Sequence, residues 1–306
     1  MVASAGGRAV LLAGGTDLLP NLKRRQFDVD TLVQVPAANG VREGAGMIEL
    51  GATVTLARAA GEPRLRALLP GFAEAAGLVS SPPLRNAGTL GGNLCVDTRC
   101  NYYNQTHEWR KSIGYCLKKD GDICLVAPGS PRCWAVSSSD TAPMAIVLSA
   151  MVTLVGPDGE RQLPVSALYR DDGIDYLAKQ PYEVLTSISL PLDESVRTAY
   201  VKLRRRASID FPIAGAAVAL RMDGDRVEWC RIALSAVASH PVEAVAAGQF
   251  LAGQRLDPES ITAAAELAAK PAKPLDNTDL THFWRKRMVR VVVENALTRA
   301  ATANRS

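Results

Sequence analysis

The hydrophobic and polar positions of this chain change period several times. A short apolar run at 8–13 breaks at Gly14-Gly15-Thr16-Asp17, and 18–25 then carries helical spacing with Pro20 in its first turn. Strand-length runs follow at 31–35 and 47–50, and 54–78 shows two helical patterns broken around 61–63. Ser81-Pro82-Pro83 reads as an extended, helix-stopping segment. Beyond it the pattern predicts a helix over 141–150 capped by Ser139 or Asp140, a hairpin over 151–163 and a strand at 183–190. The last third holds strand-length runs at 200–206, 213–222 and 227–237, the last two joined through Asp223-Gly224-Asp225. Helical spacing follows at 241–251, 257–270 and 278–298. Three antiparallel strands with a layer of helices are the expected assembly there, and the fold class is α+β.

Composition narrows the function. With 306 residues, 47% of them hydrophobic, the chain can form two or three compact units. Its net charge of +4 is spread over 35 basic and 31 acidic residues, which speaks against nucleic acid as a partner. No apolar run reaches the roughly 18 residues that suggest a membrane span. The first residues lack a basic segment followed by an apolar core, so a cytoplasmic protein without membrane contact is expected.

Candidate chemistry gathers in one stretch, from Asn86 to Asp140. Gly88, Thr89, Gly91, Gly92 and Asn93 form a glycine-rich turn of the kind that lets backbone N–H groups approach a phosphate. Gly14 and Gly15 form another between a strand and a helix start, without the G-x-G-x-x-G spacing of a Rossmann site. Between the second turn and Asp140 lie Cys100, Cys116, Cys124 and Cys133, at intervals of sixteen, eight and nine. Four clustered thiols suggest an iron–sulfur cubane or a structural zinc; zinc sites usually use closer pairs. Cys95 and Cys230 fall outside this pattern, and His107, His240 and His282 are too scattered for a metal triad. Neither G-x-S-x-G nor H-E-x-x-H occurs, so the chemistry must come from cofactors and no catalytic residue is assigned.

Residues 98–112, Thr-Arg-Cys-Asn-Tyr-Tyr-Asn-Gln-Thr-His-Glu-Trp-Arg-Lys-Ser, followed by Tyr-Cys-Leu-Lys and Asp-Ile-Cys, resemble the flavin subunit of the 4-hydroxybenzoyl-CoA reductases, in the xanthine dehydrogenase group of molybdenum enzymes. Leu-Ala-Gly-Gly-Thr-Asp-Leu likewise resembles the first flavin-binding stretch of that group. The resemblance implies a two-part FAD-binding domain of the molybdenum-hydroxylase (PCMH) type at 1–195, with a small α/β unit at 1–55 and a larger unit at 56–195. An iron–sulfur loop is inserted at 98–137, and a C-terminal flavoprotein domain fills 196–306. It implies FAD contacts at Leu11, Leu12, Ala13, Gly14, Gly15, Thr16, Asp17, Leu18, Thr89, Gly92, Asn93 and Asp140, and a [4Fe-4S] cluster on the four cysteines. Lys202 lies in the basic run Lys202, Arg204, Arg205, Arg206. Alternation puts Lys202, Arg204 and Arg206 on one strand face, either as a solvated patch or, as the resemblance implies, with Lys202 beside the flavin. The implied partners are a molybdenum-cofactor large subunit, a [2Fe-2S] small subunit and a ferredoxin-like donor. An alternative is the FAD subunit of a molybdenum hydroxylase or aldehyde oxidoreductase, some of which also carry a cluster loop, with electrons flowing outward. The resembled proteins usually have further residues before the first strand; either the start is misassigned or that strand is lost, and flavin binding is expected to survive.

Overall fold

The computed structural model describes residues 8–302. The outer limits of the two expected domains and the reading of the N-terminal leader fall outside them. Strand β1 (Ala9–Leu12) and helix α1 (Leu18–Lys23) flank the first glycine turn, as the periodicity predicts. β1 pairs in parallel with β2 (Thr31–Gln34). A two-stranded sheet cannot bury enough apolar surface to be stable alone, so this small unit depends on what it leans against.

Within the expected small unit over 1–55, strands β3 (Val41–Gly44) and β4 (Met47–Gly51), of which only the second is expected, join another sheet. With β5 (Met151–Gly156), β6 (Gly159–Pro164) and β7 (Val184–Pro191) they form an antiparallel sheet in the order β3-β4-β7-β5-β6. β3 escapes sequence reasoning because it is an edge strand with mostly exposed residues and little apolar signal.

Three helices, where two are expected, fill the next region: α2 (Leu56–Gly61), α3 (Pro63–Leu68) and α4 (Pro70–Gly77). Proline opens the last two because its fixed φ suits the first helical turn and its missing N–H has no partner there anyway. The same physics corrects the reading of 81–83. Ser81 is the N-cap and α5 (Pro82–Ala87) begins at the prolines expected to stop a helix. Helix α6 (Leu90–Leu94) follows, capped by the Thr89 side chain. The cysteine loop contributes α7 (His107–Ser112), and α8 (Thr141–Val147) returns to the domain core.

The C-terminal sheet contains β8 (Val196–Leu203), β9 (Ala214–Asp223) and β10 (Arg226–Ser235), with a two-residue fourth strand, β11 (Val242–Glu243), too short to leave a periodic signal. It carries α9 (Val245–Leu251), α10 (Pro258–Ala269) and α11 (His282–Thr302). Both faces of this sheet are buried. Ala217 and Ala219 of β9, with Tyr200 and Ala233, belong to the core of the first domain, while Ala216, Val218 and Leu220 belong to the core under the three helices. That is why β9 begins Ala-Gly-Ala-Ala-Val-Ala-Leu without alternation: a strand covered on both sides needs no polar face.

Arg285 of α11 is wholly buried beneath this sheet. Its guanidinium donates to the carbonyls of Leu275 (2.6 Å), Ile213 (3.2 Å) and Ala236 and to Asn277 Oδ1 (3.0 Å). Burial lowers its pKa to about 10. Arg285→Met would strand these acceptors, and an expected cost of about 3 kcal/mol should lower the urea midpoint of unfolding. An unchanged midpoint would show that the carbonyls find other partners.

Candidate functional site

The two glycine stretches meet. A Cβ on Gly14 would lie 2.0 Å from the Ala87 carbonyl oxygen and 3.0 Å from Gly88 Cα, and one on Gly88 would lie 3.3 Å from Thr16 Oγ1. The missing side chain of Gly14 therefore makes room for the protein's own backbone. Gly15 adopts φ +70°, which turns the chain from β1 into α1. Leu11 and Leu12 end β1, Ala13 leads into the turn and Leu18 opens α1, all half-buried. Among the described residues, the backbone N–H groups of Gly14, Gly15, Thr16 and Asp17 have no acceptor. Successive free donors before a helix start favour an anionic oxygen. In the second stretch Gly92 donates its N–H to Thr89 Oγ1 at 3.1 Å and is exposed.

Asn93 and Asp140 hold the stretches together. Asn93 Oδ1 accepts from Ser139 Oγ (2.9 Å), Thr141 N (3.2 Å) and Thr141 Oγ1 (2.7 Å). Of the two expected caps for α8, Asp140 stands at the N-cap position without a side-chain capping bond, and Ser139 Oγ accepts from Ala142 N. The Asp140 carboxylate instead accepts from Tyr200 OH at 2.8 Å and pairs with Lys202 Nζ at 2.7 Å, the two side chains being 2% and 1% exposed. Burial raises the Asp140 pKa, against the opposing pull of Lys202. Lys202 also donates to the Leu78 carbonyl at 3.0 Å. Two residues expected at the flavin thus meet each other. The shared basic face does not form as a strand face, because β8 ends at Leu203; Arg204 donates to Leu78 O at 3.2 Å and Arg206 pairs with Asp210.

The cysteine insertion is closed at its neck. Arg99 and Val136 exchange backbone hydrogen bonds of 2.8 and 2.7 Å, and Ser137 N donates to Ala238 O at 2.9 Å. Cys100, Cys116, Cys124 and Cys133 are buried free thiols, and all four line one cavity with Tyr102, Tyr103 and Lys118. Burial pushes the Cys100 thiol up to about 12 and Cys133 up to about 11. Cys95 caps the end of α6 and Cys230 lies in the C-terminal core, both outside this cavity. His107 begins α7, whereas His240 and His282 pair with Asp171 and Asp276. Among the described residues no three His, Cys, Asp or Glu side chains are placed to hold a single metal ion.

The insertion also grips the small unit, through residues that sequence reasoning missed. Arg99 pairs with Asp17 and lies 4.3 Å over the Phe211 ring. Burial raises the Asp17 pKa, with Arg99 opposing. The buried Arg110 donates to the carbonyls of Arg24 (2.7 Å) and Arg25 (2.9 Å) beyond the end of α1. Gln26 Nε2 donates to Tyr103 O at 2.6 Å, and Lys119 pairs with Asp28. The available signal was two arginines in a loop otherwise read for its thiols.

The family model described as the FAD binding domain in molybdopterin dehydrogenase matches residues 1–193, and that of the CO dehydrogenase flavoprotein C-terminal domain matches 198–300. The carbon monoxide dehydrogenase medium chain of Hydrogenophaga pseudoflava is 28% identical over 304 residues, covering 98% of this chain and 92% of that protein. The aldehyde oxidoreductase FAD-binding subunit PaoB of Escherichia coli K12 is 29% identical over 254 residues, 76% of each. The solved structure of reconstituted CO dehydrogenase from Oligotropha carboxidovorans superposes with a TM-score of 0.81 at 27% identity, covering 99% of this chain and 93% of that one. With both domains matched in order along the chain, this protein belongs to the FAD-binding subunits of the molybdenum hydroxylase and xanthine dehydrogenase family.

Proposed function

We propose that this chain is the electron-transfer subunit of a molybdenum hydroxylase of the aldehyde-oxidoreductase kind, binding FAD on its two glycine stretches and a [4Fe-4S] cluster on Cys100, Cys116, Cys124 and Cys133. The observation that carries the reading is four buried, unpaired thiols around one cavity, on an insertion packed against the flavin stretch. A single zinc ion would draw its sulfurs to about 2.3 Å. The four thiols line a common cavity, and no two are nearer than eight positions in sequence, whereas structural zinc sites usually use closer pairs. Bound FAD exchanges electrons in pairs or singly, and a cubane exchanges them singly, so the two together suit a relay.

The chain's own residues supply position and charge. The free N–H groups of Gly14, Gly15, Thr16 and Asp17 would hold the FAD pyrophosphate, with Thr89 and Gly92 beside them. The Asp140–Lys202 pair fixes the platform beneath. The partners are a molybdenum-cofactor large subunit and a [2Fe-2S] small subunit, with electrons flowing outward. A reductive role as in 4-hydroxybenzoyl-CoA reductase, with a ferredoxin-like donor, would use the same residues. The relatives described above are a carbon monoxide dehydrogenase and an aldehyde oxidoreductase by name, which supports the outward direction.

Two experiments test these sites. A Cβ on Gly92 would meet little but Thr89 Oγ1, at 2.9 Å, so Gly92→Val should fold and lose most of its FAD; Gly14→Val should lower the melting temperature as well. Full flavin content in a folded Gly92→Val protein would place the cofactor elsewhere. In the anaerobically purified complex, Cys116→Ser should abolish the reduced [4Fe-4S] electron paramagnetic resonance signal and keep FAD. The ties to the small unit run through Arg99, Tyr103 and Arg110 rather than through the thiols. A surviving cluster signal would remove Cys116 from the ligand set.

A further inference from the structure

Lys118 follows Cys116 by two positions and lines the cavity that the four thiols face, with a side chain only 6% exposed. Its ammonium donates to Asp97 Oδ1 (2.7 Å), to the carbonyls of Gly173 (2.7 Å) and Thr98 (3.3 Å) and to the Thr98 hydroxyl. The rings of Tyr103 and Tyr176 lie 4.6 and 5.5 Å from it. Gly173, which accepts from Lys118, also donates its N–H to Cys133 O at 3.0 Å, and a Cβ there would fall 2.7 Å from Cys133 Sγ. Lys118 therefore ties the neck of the insertion to the segment that backs Cys133. Asp97 is equally buried, but it is not among the residues lining the cavity, and its Oδ2 has no partner among the described residues. Of the two buried charges, the cation therefore belongs to the cavity lining and the anion does not.

We propose that Lys118 sets the electron affinity of the centre held by Cys100, Cys116, Cys124 and Cys133, with Asp97 as the opposing charge. The inference rests on the cluster reading above. Each electron accepted by a four-thiolate centre adds negative charge, and a nearby buried cation favours that state far more than it would in water.

The test uses the assembled complex, with iron and sulfide counted first and the cluster then titrated potentiometrically by electron paramagnetic resonance. Lys118→Met should lower the reduced-to-oxidised ratio at a fixed potential about tenfold, equivalent to ~59 mV for a one-electron couple. Asp97→Asn removes the opposing charge and should shift the ratio the other way, while Lys118→Arg should stay near the parent. A purely structural role would reduce cluster content without opposed shifts. Unmoved potentials, or shifts of one sign in both variants, would overturn the assignment to Lys118. If Lys118→Met loses its iron, a raised reduced-to-oxidised ratio in Asp97→Asn with Lys118→Arg near the parent supports the assignment, and an unmoved or lowered ratio in Asp97→Asn overturns it. A parent complex with flavin but no iron would instead overturn the cluster reading on which the inference stands.

Discussion

The carboxylate of Asp140, buried between Lys202 and Tyr200, is the joint on which the rest of the molecule depends. Asp140 stands where the cysteine insertion returns and α8 enters the first core, while Lys202 and Tyr200 come from the first strand of the C-terminal sheet. Losing either ion would leave the other uncompensated in the interior, at a cost of about 3–5 kcal/mol for a buried pair. The clamp by Asn93 on Ser139 and Thr141 carries the same joint into the second glycine stretch. One ion pair thus fixes the insertion, the second glycine stretch and the second domain relative to one another.

From that joint the small unit gets its support indirectly. Two parallel strands and a six-residue helix have little core of their own, and the insertion supplies partners from Arg99, Tyr103, Arg110 and Lys119. Arg110 is instructive because it serves the last carbonyls after α1, the end of a helix where a cation is favoured. The loop therefore does more than present four thiols; it is one wall of the unit that carries the first glycine turn.

Much of this was legible from the residues. The glycine turns, the hairpin at β5 and β6 and the three long C-terminal strands announce themselves through period and turn chemistry. What escaped was set by context. β3 is polar and lies at an edge, β11 has two residues, and Pro82-Pro83 opens a helix with the same residues that end one elsewhere. In the candidate site, the thiols could be found by counting, since four cysteines fall within one loop. Sequence spacing cannot show that Lys202 reaches Asp140, or that Gly14 accommodates the Ala87 carbonyl, because those contacts form only when distant segments fold together. Arg99 and Lys118 look in sequence like ordinary loop charges, and only burial distinguishes them.

The double burial of the C-terminal sheet has a consequence for how such chains can change over time. One strand, β9, serves two cores with alternate alanines, so a larger side chain on one face presses the first domain and on the other presses the helical layer. A break near the domain junction would uncover Tyr200, Ala217, Ala219 and Ala233 to water. The halves have no clean seam. Swapping either with its counterpart from a distant relative would mismatch a shared wall, so the nucleotide-binding half and the helical half are constrained to diverge together.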